Sequence, residues 1–249
     1  AKLSAIFGSV GALLAYLLVG SLFLQNIFQA IVPSVSEFGW VVIMVLAGAI
    51  IIKYPLKKES LVNGILTALL IAFIVFLVGF LIPKIEPARL IGFNPQNIFI
   101  PYGVLLFALS GLVVIPDMIT RLGRNSARAR SAIIWGSLIP AFLYLLFAAA
   151  VIGVSNGAVS PDAIEGLRAV AGERMVILGS IIGFLAVFTS LVALGMSFQN
   201  LLHLDLNFKR KNAWLFTVIA PLAVYLLGFS DFIVVIGTVG AVSGGIDTA

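Results

Sequence analysis

The chain has 249 residues, 61% of them hydrophobic and only 10% charged, and its mean hydropathy is +1.19. Water-soluble domains carry about a quarter charged residues, so this composition excludes a soluble fold and makes lipid the main solvent. With no cysteine and one histidine, His203, disulfides, thiolate metal centres and multi-histidine metal sites are excluded, and the net charge of +5 sits in short clusters between apolar runs, as topology signals do, and not on a nucleic-acid surface.

The chain opens Ala-Lys-Leu, with neither an initiator Met nor the pattern of a signal peptide, and closes on "GGIDTA" just after an apolar run. It reads as a piece of a longer protein, cut at both ends. A membrane span needs about 20 apolar residues. Eight candidates follow in order: Ser4–Phe28, Phe38–Ile52, Leu61–Ile82, Ile98–Ile119, Ala132–Val154, Met175–Leu202, Ala213–Leu227 and Phe232–Ile246, of which the second, seventh and eighth are short. Backbone groups in lipid must be satisfied within their own segment, so these runs predict helices. Runs such as "ILTALLIAFIVFLVGFLI" lack the alternation of a barrel strand.

The basic residues orient the spans. Lys2, Lys53, Lys57, Lys58, Arg121, Arg124, Arg128, Arg130, Lys209, Arg210 and Lys211 all fall on one side, and only Lys84, Arg89, Arg168 and Arg174 on the other. The richer side is predicted to be cytoplasmic, placing the N-terminus of this chain and the Arg121–Arg130 loop inside. The longest outer loop, "SNGAVSPDAIEGLRAVAGER", has helical character between its turn residues and is expected to rest on the surface.

Polar features inside the spans are the candidate functional residues. In the first span, Gly8, Ser9, Gly11, Ala12 and Ala15 permit close helix packing, and Tyr16 at mid-span is placed to offer its hydroxyl to a central cavity. In the fourth, Ser110-Gly111 near the middle and Pro116 beyond it weaken the helix. Two readings stand: a simple proline kink, favoured from this span alone, or a discontinuous helix of the kind that builds midplane sites in transporters. Asp117 lies four residues before Arg121, which fits a local ion pair or inner gate better than a central proton carrier. In the sixth span, Thr189 and Ser190 either bind a hard cation such as sodium or, more commonly for such hydroxyls, bond back to a carbonyl one turn earlier. Gln199, Asn200, His203 and Asp205 follow towards the cytoplasmic end. "GTVGAVSGG" near the end reads as helix packing with scope for local unwinding. No nucleophile–base–acid grouping, phosphate loop or paired intramembrane carboxylate is present, so no enzyme is expected.

At "PYGVLLFALSGLVVIPDM" and "FTSLVALGMSFQNLL", supported by "GALLAYLLVGSLFL" and "LIGFNPQNIFIPYGVLLFALSG", the chain resembles the amino acid/polyamine/organocation superfamily, and most closely its hydroxy/aromatic amino acid permeases. The resemblance covers nearly the whole chain. It implies an all-α integral membrane protein with a LeuT-type fold of two inverted five-helix repeats. The eight spans then match helices three to ten, with residues 1–82 the remainder of the first repeat and 98–249 the second. The fourth span becomes the broken sixth helix, and the resemblance places Phe107, Ala108, Leu109, Ser110 and Gly111 where substrate meets unwound backbone, with Tyr16 lining the same site. Pro116, Asp117 and Arg121 fall at the helix break and inner gate. Thr189 and Ser190 match hydroxyls that hold sodium in sodium-coupled relatives. The glycine-rich break of the first helix lies outside this sequence.

The resulting expectation is a multi-pass protein of the cytoplasmic membrane that imports an amino acid, aromatic by the resemblance, through ion-coupled alternating access. No cofactor is implied, and the coupling ion is sodium or a proton. The partners are an amino acid and the lipid bilayer, not nucleic acid. The competing reading is a non-transporting membrane subunit or binding protein that keeps the fold.

Overall fold

The computed structural model describes residues 2–53, 59–91, 100–109, 126–155 and 159–247, and these form helices and connecting turns with no strand among them. The longer described helices are α1 (Lys2–Phe28), α2 (Glu37–Lys53), α3 (Glu59–Leu81) and α4 (Ile100–Leu109). They continue with α5 (Ser126–Val154), α6 (Glu173–Asn200), α7 (Arg210–Leu226) and α8 (Phe232–Asp247). Among the described residues four stretches are long and apolar enough to cross a bilayer: Leu3–Phe28, Gly64–Lys84, Ala127–Val154 and Glu173–Asp205. At about 1.5 Å per residue each exceeds the ~30 Å hydrocarbon thickness.

Two boundaries differ from expectation for physical reasons. Helix α5 begins at Ser126, six residues before the expected span, and carries exposed Arg128 and Arg130 in its first turns. Arginine side chains extend to the headgroup layer while their own helix continues below it. Helix α8 runs unbroken through its glycines to Asp247, so these serve packing, not unwinding.

Helix α1 is the centre of the bundle. It packs against α2, α6, α7 and α8. Leu13, Leu17, Trp40, Met44, Leu191 and Phe198 form one apolar cluster among α1, α2 and α6. Leu14, Ala15, Leu18, Val235, Ile236 and Val239 form another between α1 and α8. By contrast α3 and α5 expose Leu69, Phe76, Trp135, Phe142 and Leu145, as expected where the neighbour is lipid and outward apolar side chains carry no cost.

Small residues set the closest approaches. A Cβ on Gly11 of α1 would lie 2.1 Å from Val239 Cγ2, so the small-residue run of the first span seats α8. A Cβ on Gly103 of α4 would lie 2.0 Å from the Gly237 carbonyl oxygen, and one on Gly240 would lie 2.8 Å from the Phe107 nitrogen. Backbone there touches backbone, which only glycine permits. These contacts also fix direction. Phe23 meets Gly183 and Gly20 lies near Val187, so α1 and α6 are antiparallel, while α4 advances along α8 in parallel.

Candidate functional site

Tyr16 is half-buried on α1 and packs on the cluster shared by α1, α2 and α6. It is mid-helix because the small residues before it let α1 sink into the bundle. Tyr144 of α5 is within electrostatic range of its hydroxyl. The antiparallel register of α1 and α6 carries Tyr16 to about the level of Leu191, one turn or less from Thr189 and Ser190. These three hydroxyl residues therefore share one depth in the bundle.

Both Thr189 Oγ1 and Ser190 Oγ donate to the same acceptor, the Ala186 carbonyl, at 3.0 and 2.9 Å. This is the back-bonded arrangement common for hydroxyls in membrane helices. Each oxygen keeps its lone pairs while its proton is engaged, so the arrangement is chemically compatible with a cation but does not by itself mark a cation site.

On α4, Phe107 is half-buried against the α1–α8 cluster, and Ala108 is exposed. Leu109 closes the described part of that helix. Ser110, Gly111, Pro116, Asp117 and Arg121 lie outside the described residues. Tyr16 and Phe107 belong to neighbouring clusters, and Tyr225 of α7 packs against both. An apolar crevice lies beside Tyr16 but does not include it; its lining includes Leu13, Met44, Gly48, Leu191, Thr217 and Pro221. At the far end of α6 a π-helical turn spans Leu201–Asp205, and His203 Nδ1 is 2.7 Å from the Phe208 carbonyl.

At the opposite end of the bundle the structure assembles a group that no sequence motif signalled. Asn26, near the end of α1, donates through Nδ2 to Asp162 Oδ2 at 2.7 Å and to Ser180 Oγ of α6 at 3.3 Å. Asn26 and Ser180 are both buried. Asp162 also accepts the Glu165 N–H at 3.3 Å, at the start of the 3₁₀ turn Glu165–Leu167. Arg168 bridges Glu165 and Glu173, and the hydrogen bond to Glu165 is the main cause that raises its pKa above the ordinary arginine value. The outer loop expected to rest on the surface instead inserts. Leu167 is 1% exposed and Ile164 7%. A turn that buries two aliphatic side chains gains more than one lying flat in water. Asn26 and Ser180 each resemble ordinary polar residues near a span end, and Asp162 an ordinary turn residue, so nothing in the sequence links them.

Among the described residues no group of three or more His, Cys, Asp or Glu is placed to hold a metal ion. Long apolar helices with lipid-facing side chains around a buried central helix define a multi-pass integral membrane protein, and hydroxyls held within such a bundle suit solute passage. The chain belongs to the tryptophan/tyrosine permease family, which it matches over residues 1–246. It is therefore an amino acid permease acting in a lipid bilayer, a transporter and not an enzyme. No curated protein and no solved structure matches it.

Proposed function

We propose that the chain forms the larger part of a secondary transporter that imports an aromatic amino acid across the cytoplasmic membrane. The observation that carries this reading is the family match along residues 1–246. Transport is by alternating access in a LeuT-type bundle, with the eight apolar spans as helices three to ten of two inverted repeats. The Lys/Arg-rich loops are cytoplasmic, as the bias of basic residues requires. The opposed directions of α1 and α6 are those of spans that alternate across the membrane.

The substrate lies between α1 and the fourth span. Tyr16 offers a hydrogen bond from α1, and Phe107 an aromatic face from α4. Ser110-Gly111 breaks the span so that free backbone groups meet the charged ends of the amino acid. Pro116, Asp117 and Arg121 form the inner gate. Sodium at Thr189 and Ser190 is the favoured coupling ion, with a proton as the competing choice. The gradient supplies the free energy.

The test is uptake of labelled tryptophan and tyrosine by the full-length protein in vesicles, with imposed sodium or proton gradients. Gradient-dependent uptake that Gly111→Leu abolishes, with membrane insertion unchanged, is the expected result. No uptake across a broad amino acid panel sinks the transport reading. Normal uptake by Gly111→Leu returns the fourth span to a simple kink.

A further inference from the structure

Helices α2 and α7 meet at the end of the bundle that carries the Lys/Arg-rich loops. Lys53 closes α2, Lys209 precedes α7, and Arg210 and Lys211 open it. All four side chains are exposed. One aromatic residue joins the two helices. Trp214 of α7 donates its Nε1–H to the Ala49 carbonyl of α2 at 3.0 Å, and the Lys53 ammonium stands 5.4 Å above its ring. That distance is within reach of a cation–π contact. Arg210 and Lys211 lie about one helical turn before Trp214. The cations of both helices therefore gather around one indole.

Little acid offsets them. The first turn of α7 has none, and no Asp or Glu occurs between Asp205 and Asp231. Like charges this close repel one another, so an anion at this place stabilises the group.

Below the charges both helices turn apolar faces outward. Ile43, Leu46 and Ile50 are exposed on α2, at the spacing of one helix face. Leu215, Ile219 and Leu226 are exposed on α7 in the same manner. At about 1.5 Å per residue, Leu215 to Leu226 covers about 16 Å, close to half of the ~30 Å hydrocarbon thickness. A ligand that fits has an anionic head and an apolar body one leaflet long. A zwitterionic lipid leaves the cations uncompensated, and a soluble phosphate leaves the apolar stripes bare.

We propose that the α2–α7 junction binds one anionic phospholipid, its phosphate held by Lys53, Arg210 and Lys211 and its tails lying along the two stripes. Arg210 takes two phosphate oxygens through its planar fork, and the lysines act as point charges. Trp214 sits one turn deeper, with its ring against the upper tail and its N–H already satisfied by Ala49. The bound lipid ties the two helix ends together from outside. Such binding does not depend on what the protein transports.

The test uses the full-length protein with Trp214 as its only tryptophan, in detergent micelles titrated with brominated lipid. Bromine on the acyl chains quenches an indole in contact with it. Brominated phosphatidylglycerol is expected to quench Trp214 at far lower mole fraction than brominated phosphatidylcholine. Each Lys or Arg near an anionic surface is worth about a factor of five. Lys53→Gln is therefore expected to weaken phosphatidylglycerol binding about fivefold, and Arg210→Gln with Lys211→Gln about 25-fold, with phosphatidylcholine quenching unchanged. Lys53→Arg keeps the preference, which separates loss of charge from loss of fold. Arg128→Gln with Arg130→Gln, at the basic end of α5, leaves Trp214 quenching as it was. Equal quenching by the two lipids, or the same loss of preference in the α5 and α7 variants, overturns the site. Displacement of the lipid by millimolar glycerol phosphate overturns it too, since the ligand is then a soluble phosphate.

Discussion

Gly103→Ala is the sharpest probe of how α4 is held. The added Cβ would sit 2.0 Å from the Gly237 carbonyl oxygen, where ordinary contact begins near 3.4 Å. The obstacle is backbone and cannot rotate away, so α4 must move by about 1.4 Å or tilt. Overpacking of this kind costs about 1–3 kcal/mol. Borne only by the state in which α4 and α8 touch, that cost shifts the conformational equilibrium by about 5–150-fold. The assay is initial-rate tryptophan uptake by the full-length protein, beside thermal stability in detergent. Gly64→Ala, Gly79→Ala and Gly136→Ala are the controls, because a Cβ at each meets nothing within 4 Å. In these exposed helical positions alanine is neutral or stabilising by up to about 1 kcal/mol. Uptake and stability of Gly103→Ala equal to those of the controls would refute the close contact and the role of α8 in seating α4.

Three further outcomes follow from the same structure. Tyr16→Phe keeps the packing on the α1–α2–α6 cluster and removes one hydroxyl; loss of about 1 kcal/mol of substrate binding raises the KM for tryptophan about fivefold with insertion unchanged, and an unchanged KM confines Tyr16 to packing. Thr189→Ala leaves Ser190 on the Ala186 carbonyl, so thermal stability holds to within about 0.5 kcal/mol; if sodium binds there, the sodium concentration for half-maximal uptake rises about tenfold, and an unchanged value excludes that site. Trp214→Phe loses the Nε1–H bond to the Ala49 carbonyl at 3.0 Å and the Lys53 ammonium 5.4 Å above the ring. The cost is about 1–2 kcal/mol, a fall in Tm of about 3–6 °C in detergent, and an unchanged Tm removes this link between α2 and α7.

The amino-acid sequence by itself determined where the helices run. In lipid every backbone group must be satisfied locally, so an apolar run long enough to span is a helix whatever its neighbours do. That is why α1, α2, α3, α6, α7 and α8 begin and end within two or three residues of the apolar boundaries. The same logic selected Tyr16, Thr189 and Ser190, since a hydroxyl is conspicuous among Leu, Val and Phe. It also named a carbonyl one turn earlier as the commoner partner of the Thr189 and Ser190 hydroxyls, and both donate to the Ala186 carbonyl. It could not show that Gly103 meets Gly237, or that Asn26, Asp162 and Ser180 converge, because these residues are 134, 136 and 154 positions apart in their pairs. Periodicity and hydropathy act over a single segment, whereas these contacts depend on how closely separate helices approach and in which register. A turn such as Ser160–Ala163 looks the same on paper whether it floats in water or plugs a bundle. Only the packed tertiary structure, by burying Ile164 and Leu167 and holding Ala163 in a strained conformation, decided that it does the second.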